Sequence, residues 1–127
     1  MLDHLSLGVA DLDRAARFYD ALLAPLGYWR FQQEPGTIGY AGDPVTSSFW
    51  LSLPKEGQAV APMAGFHLAF TAASRAAVHA VHEVAAKLGA TELVAPRPLP
   101  AVHAHYFHTM LTDPDGHRIE IACHKPG

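Results

Sequence analysis

The sequence predicts an α+β protein made of two βαβββ modules, whose strands form a partly open, curved, barrel-like mixed β-sheet with helices on the outside. Three observations predict it. First, the chain restarts: His4-Leu5-Ser6-Leu7 and His67-Leu68-Ala69-Phe70 are offset by 63 residues, as are the helix-capping residues Asp11 and Ser74. Second, a Leu-Gly pair (Leu26-Gly27, Leu88-Gly89) follows each start at nearly the same distance, so one duplication fills the chain. Third, hydrophobic residues alternate along short segments and then switch to helical spacing, which separates strands from helices.

In the first module, residues 3–9 alternate, with Leu5, Leu7 and Val9 on one face and His4, Ser6 and Gly8 on the other. Asp11 caps a helix carrying Leu12, Ala15, Ala16, Tyr19, Leu22 and Leu23 on one stripe, and Pro25 and Gly27 stop it. Residues 28–31 and 37–40 read as strands, and Gly42-Asp43-Pro44 as a turn before a fourth strand over 48–53. Module one spans 1–57, a linker follows over 58–65, and module two spans 66–127. There, 67–71 is a strand and Ser74 caps a helix with Ala77, Val78, Val81, Val84, Ala85 and Leu88 on its apolar stripe. A strand over 90–94 leads to a loop rich in Pro (Pro96, Pro98, Pro100). The segments 105–112 and 118–124 then form a hairpin around Asp113-Pro114-Asp115-Gly116, where Pro presets φ and Gly supplies positive φ.

Composition bounds the function. The 127 residues suffice for one domain with a real core. A net charge of −3 without basic runs argues against nucleic-acid and membrane-surface partners. No apolar run approaches the ~18 residues of a membrane span. The start, Met1-Leu2-Asp3-His4, lacks the features of a secretory signal. The single cysteine, Cys123, precludes an internal disulfide and shares a face with Ile119 and Ile121, so it reads as buried and inert. A cytoplasmic setting is expected.

Strand parity locates the chemistry. Leu5 and Leu7, Leu68 and Phe70, and Ile119 and Ile121 mark the faces that pack under helices. The opposite faces carry His4 and Ser6, His67 and Ala69, and Arg118, Glu120 and Ala122. A lone carboxylate in such a concave cleft would cost several kcal/mol. Two imidazoles and a carboxylate also match the facial triad that holds a divalent cation with open positions. Nine histidines, five of them within His103–His124, enlarge the supply of candidate ligands and proton carriers.

At these residues the chain resembles the vicinal-oxygen-chelate superfamily, which groups glyoxalases, extradiol dioxygenases, fosfomycin-resistance enzymes and bleomycin-binding proteins. The resemblance rests on Asp3-His4-Leu5-Ser6-Leu7-Gly8-Val9 with Phe18-Tyr19, on Gly65-Phe66-His67-Leu68-Ala69-Phe70, and on Asp113-Pro114-Asp115-Gly116-His117-Arg118-Ile119-Glu120. It implies one divalent metal ion (Fe, Mn, Zn or Ni) on His4, His67 and Glu120, and a small substrate that chelates through oxygen. It further implies dioxygenase-like or lyase/isomerase-like chemistry. Lactoylglutathione lyases carry a Glu on the last strand of module one. Trp50 stands there in this chain, which argues against that activity. His103, Tyr106 and His108, before and within a strand beside Glu120, are candidates for proton handling. Ser6, Trp50 and Ser52 are the expected substrate-binding residues, with Trp50 narrowing the pocket toward a flat or apolar molecule. Trp29 and Phe49 read as core. The competing expectation is a metal-free binding protein that sequesters a drug-like molecule. A homodimer is expected, with the modules closed within a chain or exchanged across a two-fold axis.

Overall fold

The computed structural model describes residues 2–42 and 48–127. The expected turn at Asp43-Pro44 lies outside them. Two four-stranded sheets, each with one helix, reproduce the duplication. Module one contains β1 (His4–Gly8), α1 (Leu12–Leu23), β2 (Trp29–Glu34), β3 (Thr37–Ala41) and β4 (Ser48–Ser52). Module two contains β5 (Leu68–Thr71), α2 (Arg75–Lys87), β6 (Glu92–Pro98), β7 (Phe107–Thr112) and β8 (Arg118–Cys123). Strand orders are β1-β4-β3-β2 and β5-β8-β7-β6; only β1/β4 and β5/β8 run parallel. The sheets are mixed and do not close into one barrel.

The caps behave as their chemistry demands. Asp11 Oδ1 accepts from the Arg14 N–H at 2.9 Å, and Ser74 Oγ from the Ala77 N–H at 3.1 Å, each satisfying one orphan donor of a first turn. After α1 a single 3₁₀ turn (Ala24–Leu26) ends at Gly27, whose φ of 81° only glycine adopts without strain.

Both helices pack on the apolar faces of their sheets and against each other. Val9, Tyr19, Leu22, Leu51, Val78, Val81, Ile119 and Ile121 are all fully buried there. Phe49 of β4 meets Phe70 of β5 edge to face at 5.3 Å, which joins the two halves through one core.

Polar contacts between the modules converge on the β7–β8 turn. Tyr19 of α1 donates to Asp113 Oδ2 at 2.7 Å, and the Ala10 N–H donates to Asp115 Oδ1 at 3.0 Å. Arg14 reaches the same Asp115 oxygen at 3.3 Å, and His117 Nε2 donates to the Gly8 carbonyl at 2.8 Å. Asp115 thereby sits at the N-terminal end of α1, where the helix dipole favours an anion. The two aspartates, expected only to shape a turn, also clasp the modules together.

Three expectations are corrected. Pro96 and Pro98 belong to β6, not to a loop: β6 is an edge strand with register shifts at Glu92/Val94 and Val94/Arg97, so missing N–H groups break no central ladder. His105 and Tyr106 form a turn before β7, held by the bond from the Tyr106 N–H to the His103 carbonyl at 3.1 Å. Trp29 is not core; it opens the edge strand β2 and is 54% exposed.

Candidate functional site

Glu120 is the centre of the site on module two. It lies on β8 between β5 and β7, opposite Ala69 on one side and Met110 on the other, and faces away from α2. Only 6% of it is exposed. A carboxylate so placed needs donors, and three side chains surround it. Tyr106 donates its hydroxyl to Oε1 at 2.9 Å. His108 Nδ1 lies 2.7 Å from the same oxygen. His67 Nε2 lies 3.0 Å from Oε2. Since a carboxylate only accepts, the imidazole hydrogens belong on those nitrogens.

The three neighbours differ in what they can do next. Burial, followed by the Glu120 contact, pushes the Tyr106 phenol up to about 12. Tyr106 is therefore a neutral donor at working pH rather than a base. His108 is 4% exposed, and its Nε2 is buried with no hydrogen-bond partner. With its hydrogen on Nδ1, that nitrogen presents a bare lone pair. His67 is the open member: its side chain is 46% exposed and can meet a ligand.

The histidines nearer the C-terminus form a separate group. His103 Nδ1 accepts from the His105 N–H at 3.1 Å, so its Nε2 carries the hydrogen and donates to His124 Nδ1 at 2.8 Å. The two rings stack at 5.1 Å, and Tyr106 packs edge-on against both. His103 supports Tyr106 from behind and makes no contact with Glu120. Of the three expected proton-handling residues, Tyr106 and His108 reach the carboxylate and His103 does not.

His4 lies elsewhere. Its Nδ1 is paired with the Asp3 carboxylate, and it lines a cavity with Leu5, Phe49, Leu68, Phe70 and Thr71. Gly8, at the far end of β1, is the residue that touches His117 at the start of β8, which is also the His67 end of β5. Four residues at about 3.3 Å each place His4 roughly 13 Å along β1 from that end. Among the described residues, no three His, Cys, Asp or Glu side chains are grouped to hold a metal ion. Within one chain, then, His67 and Glu120 meet and His4 stays apart.

On module one the concave face carries the other expected set. A cavity of about 350 Å³ is lined by Asp3, His4, Ser6, Ser48, Trp50 and Ser52. The Ser6 and Ser52 hydroxyls are 3.0 Å apart, and Trp50 Nε1 donates to Ser48 Oγ at 2.8 Å. Trp50 faces Ser6 in the β1/β4 register as Glu120 faces Ala69 in β5/β8. Ser6 and Ala69 are repeat equivalents, so Trp50 is the module-one counterpart of Glu120. Parity alone could not identify Asp3, Ser48 or Phe31, which pack around this face. The described helices include none long and apolar enough to cross a membrane.

Residues 1–121 match the model of the Glyoxalase/Bleomycin resistance protein/Dioxygenase superfamily. The chain belongs to that family. Among solved structures, a glyoxalase/bleomycin resistance protein from Albidiferax ferrireducens superposes with a TM-score of 0.88 at 30% identity, covering 97% of this chain and 98% of that one. A glyoxalase-related enzyme from Fulvimarina pelagi gives 0.75 at 25% identity, covering 97% and 87%. The fosfomycin resistance protein FosX of Mesorhizobium loti gives 0.71 at 19% identity, covering 98% and 92%, a likeness of fold alone. No curated protein matches the chain significantly.

Proposed function

We propose that this protein is a small metal-dependent enzyme acting on an oxygen-chelating small molecule, with His67 and Glu120 as metal ligands on module two. One observation carries the reading: a buried carboxylate on a sheet strand, shared between an exposed imidazole, a buried imidazole and a phenol. His67 Nε2 and Glu120 Oε2 are 3.0 Å apart. That is about the spacing of two neighbouring ligands bound at roughly 2.1 Å to one cation. Two residues of one chain thus fit a divalent ion. His4 completes the set only when a second copy of the chain brings its module-one face to the cluster, so the reading includes a homodimer with exchanged modules.

Such an ion would serve as a Lewis acid toward a substrate oxygen. The chain's own residues supply the rest. Tyr106 and His108 hold Glu120 Oε1, which leaves Oε2 and His67 directed at the ligand and fixes the orientation of the carboxylate. His108 and Tyr106, both donating to Oε1, favour the ionised form of Glu120, which can accept a proton at Oε2. Ser6, Ser52 and Trp50 share the module-one cavity with His4, so the second copy that brings His4 would also bring the wall that receives the substrate body. Ring-cleaving oxygenation and lyase or isomerase chemistry are both compatible with this set, whereas Trp50, which cannot accept a substrate proton, disfavours lactoylglutathione lyase activity.

The test is metal analysis of protein purified without an affinity tag, with thermal melts after adding Mn(II), Fe(II), Zn(II) or Ni(II). Near-stoichiometric metal and a higher Tm, both lost in His67→Ala and Glu120→Gln, are expected. The metal-loaded protein is then assayed on catechols, α-hydroxythioesters and epoxides. A protein that takes up none of the four ions refutes the reading. The second reading, a metal-free binding protein, is favoured by the lack of a three-ligand group among the described residues of one chain. Tight binding of a drug-like molecule with no response to metal would establish it. Sedimentation showing a monomer at micromolar concentration would remove the contribution of His4.

A further inference from the structure

We propose that Trp50, cleared by Gly39 and buttressed by Phe31, is a specificity-determining wall that selects a neutral, planar aromatic ring system. The inference rests on the reading of the concave face as a small-molecule site, and it is independent of whether a metal is bound.

Gly39 sits in the middle of β3, directly opposite Trp50 of β4. A glycine inside a strand weakens it, because it adds backbone freedom and offers no side chain to pack. Its φ is not positive, so the backbone does not require glycine here. Space does. A Cβ on Gly39 would lie 2.9 Å from Trp50 Cη2 and Cζ3 and 2.9 Å from Phe31 Cε1. The missing side chain is what lets the indole lie across β3.

Two further contacts fix the ring in that position. Ser48 Oγ accepts from the indole Nε1 at 2.8 Å, which sets the rotation of the indole. Phe31 meets it edge-on at 5.4 Å and 78°. Phe31 is the extra residue of a bulge, since Arg30 pairs with Tyr40 and Gln32 with Gly39. Bulges re-aim side chains, and this one brings an aromatic ring onto the concave face. There it remains 46% exposed. A ligand lying on the indole would cover this exposed ring and remove its apolar surface from water.

The cavity beside Trp50 says what the ligand is. At about 350 Å³ it falls in the small-molecule range, too small for a helix or strand of a partner protein. Five of its six lining residues are polar, so it does not suit a purely apolar occupant. Its one carboxylate, Asp3, opposes an anionic one. Ser6 and Ser52 offer hydroxyls to a neutral hydrogen-bonding edge. The indole offers a π surface, which discriminates a flat aromatic ring from a puckered saturated ring of the same connectivity.

The test is calorimetric titration of the metal-free protein, in EDTA, with 2-naphthol and with its saturated analogue decahydro-2-naphthol. Expected is saturable binding of 2-naphthol, with the saturated analogue about tenfold weaker or more, a discrimination of roughly 1.4 kcal/mol. Gly39→Ala, which displaces both rings, should abolish the discrimination. Phe31→Leu, a surface change that leaves the core intact, should reduce it severalfold with an unchanged Tm. Equal affinity for the two probes, failure of both to bind, or full discrimination in folded Gly39→Ala and Phe31→Leu proteins would overturn the proposal. Metal uptake is scored separately, so either reading can fail without the other.

Discussion

Replacing Tyr19 by Phe tests whether the β7–β8 turn clasps the modules. The Tyr19 hydroxyl gives Asp113 Oδ2 a 2.7 Å bond between residues that are 0% and 4% exposed. Asp113 Oδ1 is already engaged by the Asp115 and His117 N–H groups, each at 2.9 Å, so Phe would strand Oδ2 without a donor. A bond to a charged acceptor contributes roughly 1.5–3 kcal/mol, and we expect a loss of about 2 kcal/mol at neutral pH. For a chain of this size that lowers Tm by about 6–12 °C. The pH dependence sharpens the test. Burial raises the Asp113 carboxyl above its ordinary value, and the Tyr19 bond is the leading influence that holds it down. A carboxyl raised in the folded state binds its proton more tightly there than in the unfolded chain. Its ionised form therefore burdens the fold at neutral pH, and that burden lifts as pH falls through the folded pKa toward the unfolded one. Tyr19→Phe raises the folded pKa further, so the loss should be largest near pH 7 and shrink toward about pH 4.5. Urea unfolding of both proteins at the two pH values measures it. A loss under about 0.5 kcal/mol at neutral pH, or one that grows on acidification, would refute the clasp.

Two further perturbations probe the site and the core. The difference between the ultraviolet pH titrations of the wild type and Tyr106→Phe should show a phenol ionising near pH 12, as the structure places it; an ionisation below about pH 10, the ordinary value, would mean the Glu120 contact does not form. Ile121→Ala, at a residue with 0% exposure, should cost about 2–5 kcal/mol in urea unfolding, because the cavity sits under α2 where little can collapse into it.

The architecture was legible because the duplication is written in local chemistry. Strand parity at Leu5/Leu7, Leu68/Phe70 and Ile119/Ile121, together with caps at Asp11 and Ser74, depends on neighbours only a few residues away. Alternation gives Tyr106 and His108 one common side, although Tyr106 precedes β7; both side chains meet Glu120. Features set by distant contacts were harder to read. Pro96 and Pro98 look like loop residues until β6 is known to be an edge. His4 and His67 are repeat equivalents, and equivalence in sequence says nothing about which ends of β1 and β5 lie together. The contact between His117 and the Gly8 carbonyl settles that, and no local pattern announces it. The roles of Asp113 and Asp115 as partners of Tyr19, Ala10 and Arg14 were hidden for the same reason.

The duplicated strands also show how one scaffold can divide its labour. At the point where β8 places Glu120 opposite Ala69, β4 places Trp50 opposite Ser6. Across the next strand, Met110 stands beside Glu120, whereas Gly39 stands beside Trp50. A carboxylate needs donors, and module two provides Tyr106, His108 and His67 around it. An indole needs room and an edge partner, and module one provides the bare Gly39 and the bulged Phe31. Each face is self-consistent and chemically unlike the other. Under the proposed function, the charged face would take the polar end of the substrate and the flat aromatic wall its body. That division predicts separable defects: Gly39→Ala should change which molecules bind while metal uptake persists, and Glu120→Gln should abolish metal uptake while the preference for planar rings persists. Coupled loss of both properties in either variant, with Tm unchanged, would show that the two faces form a single indivisible site.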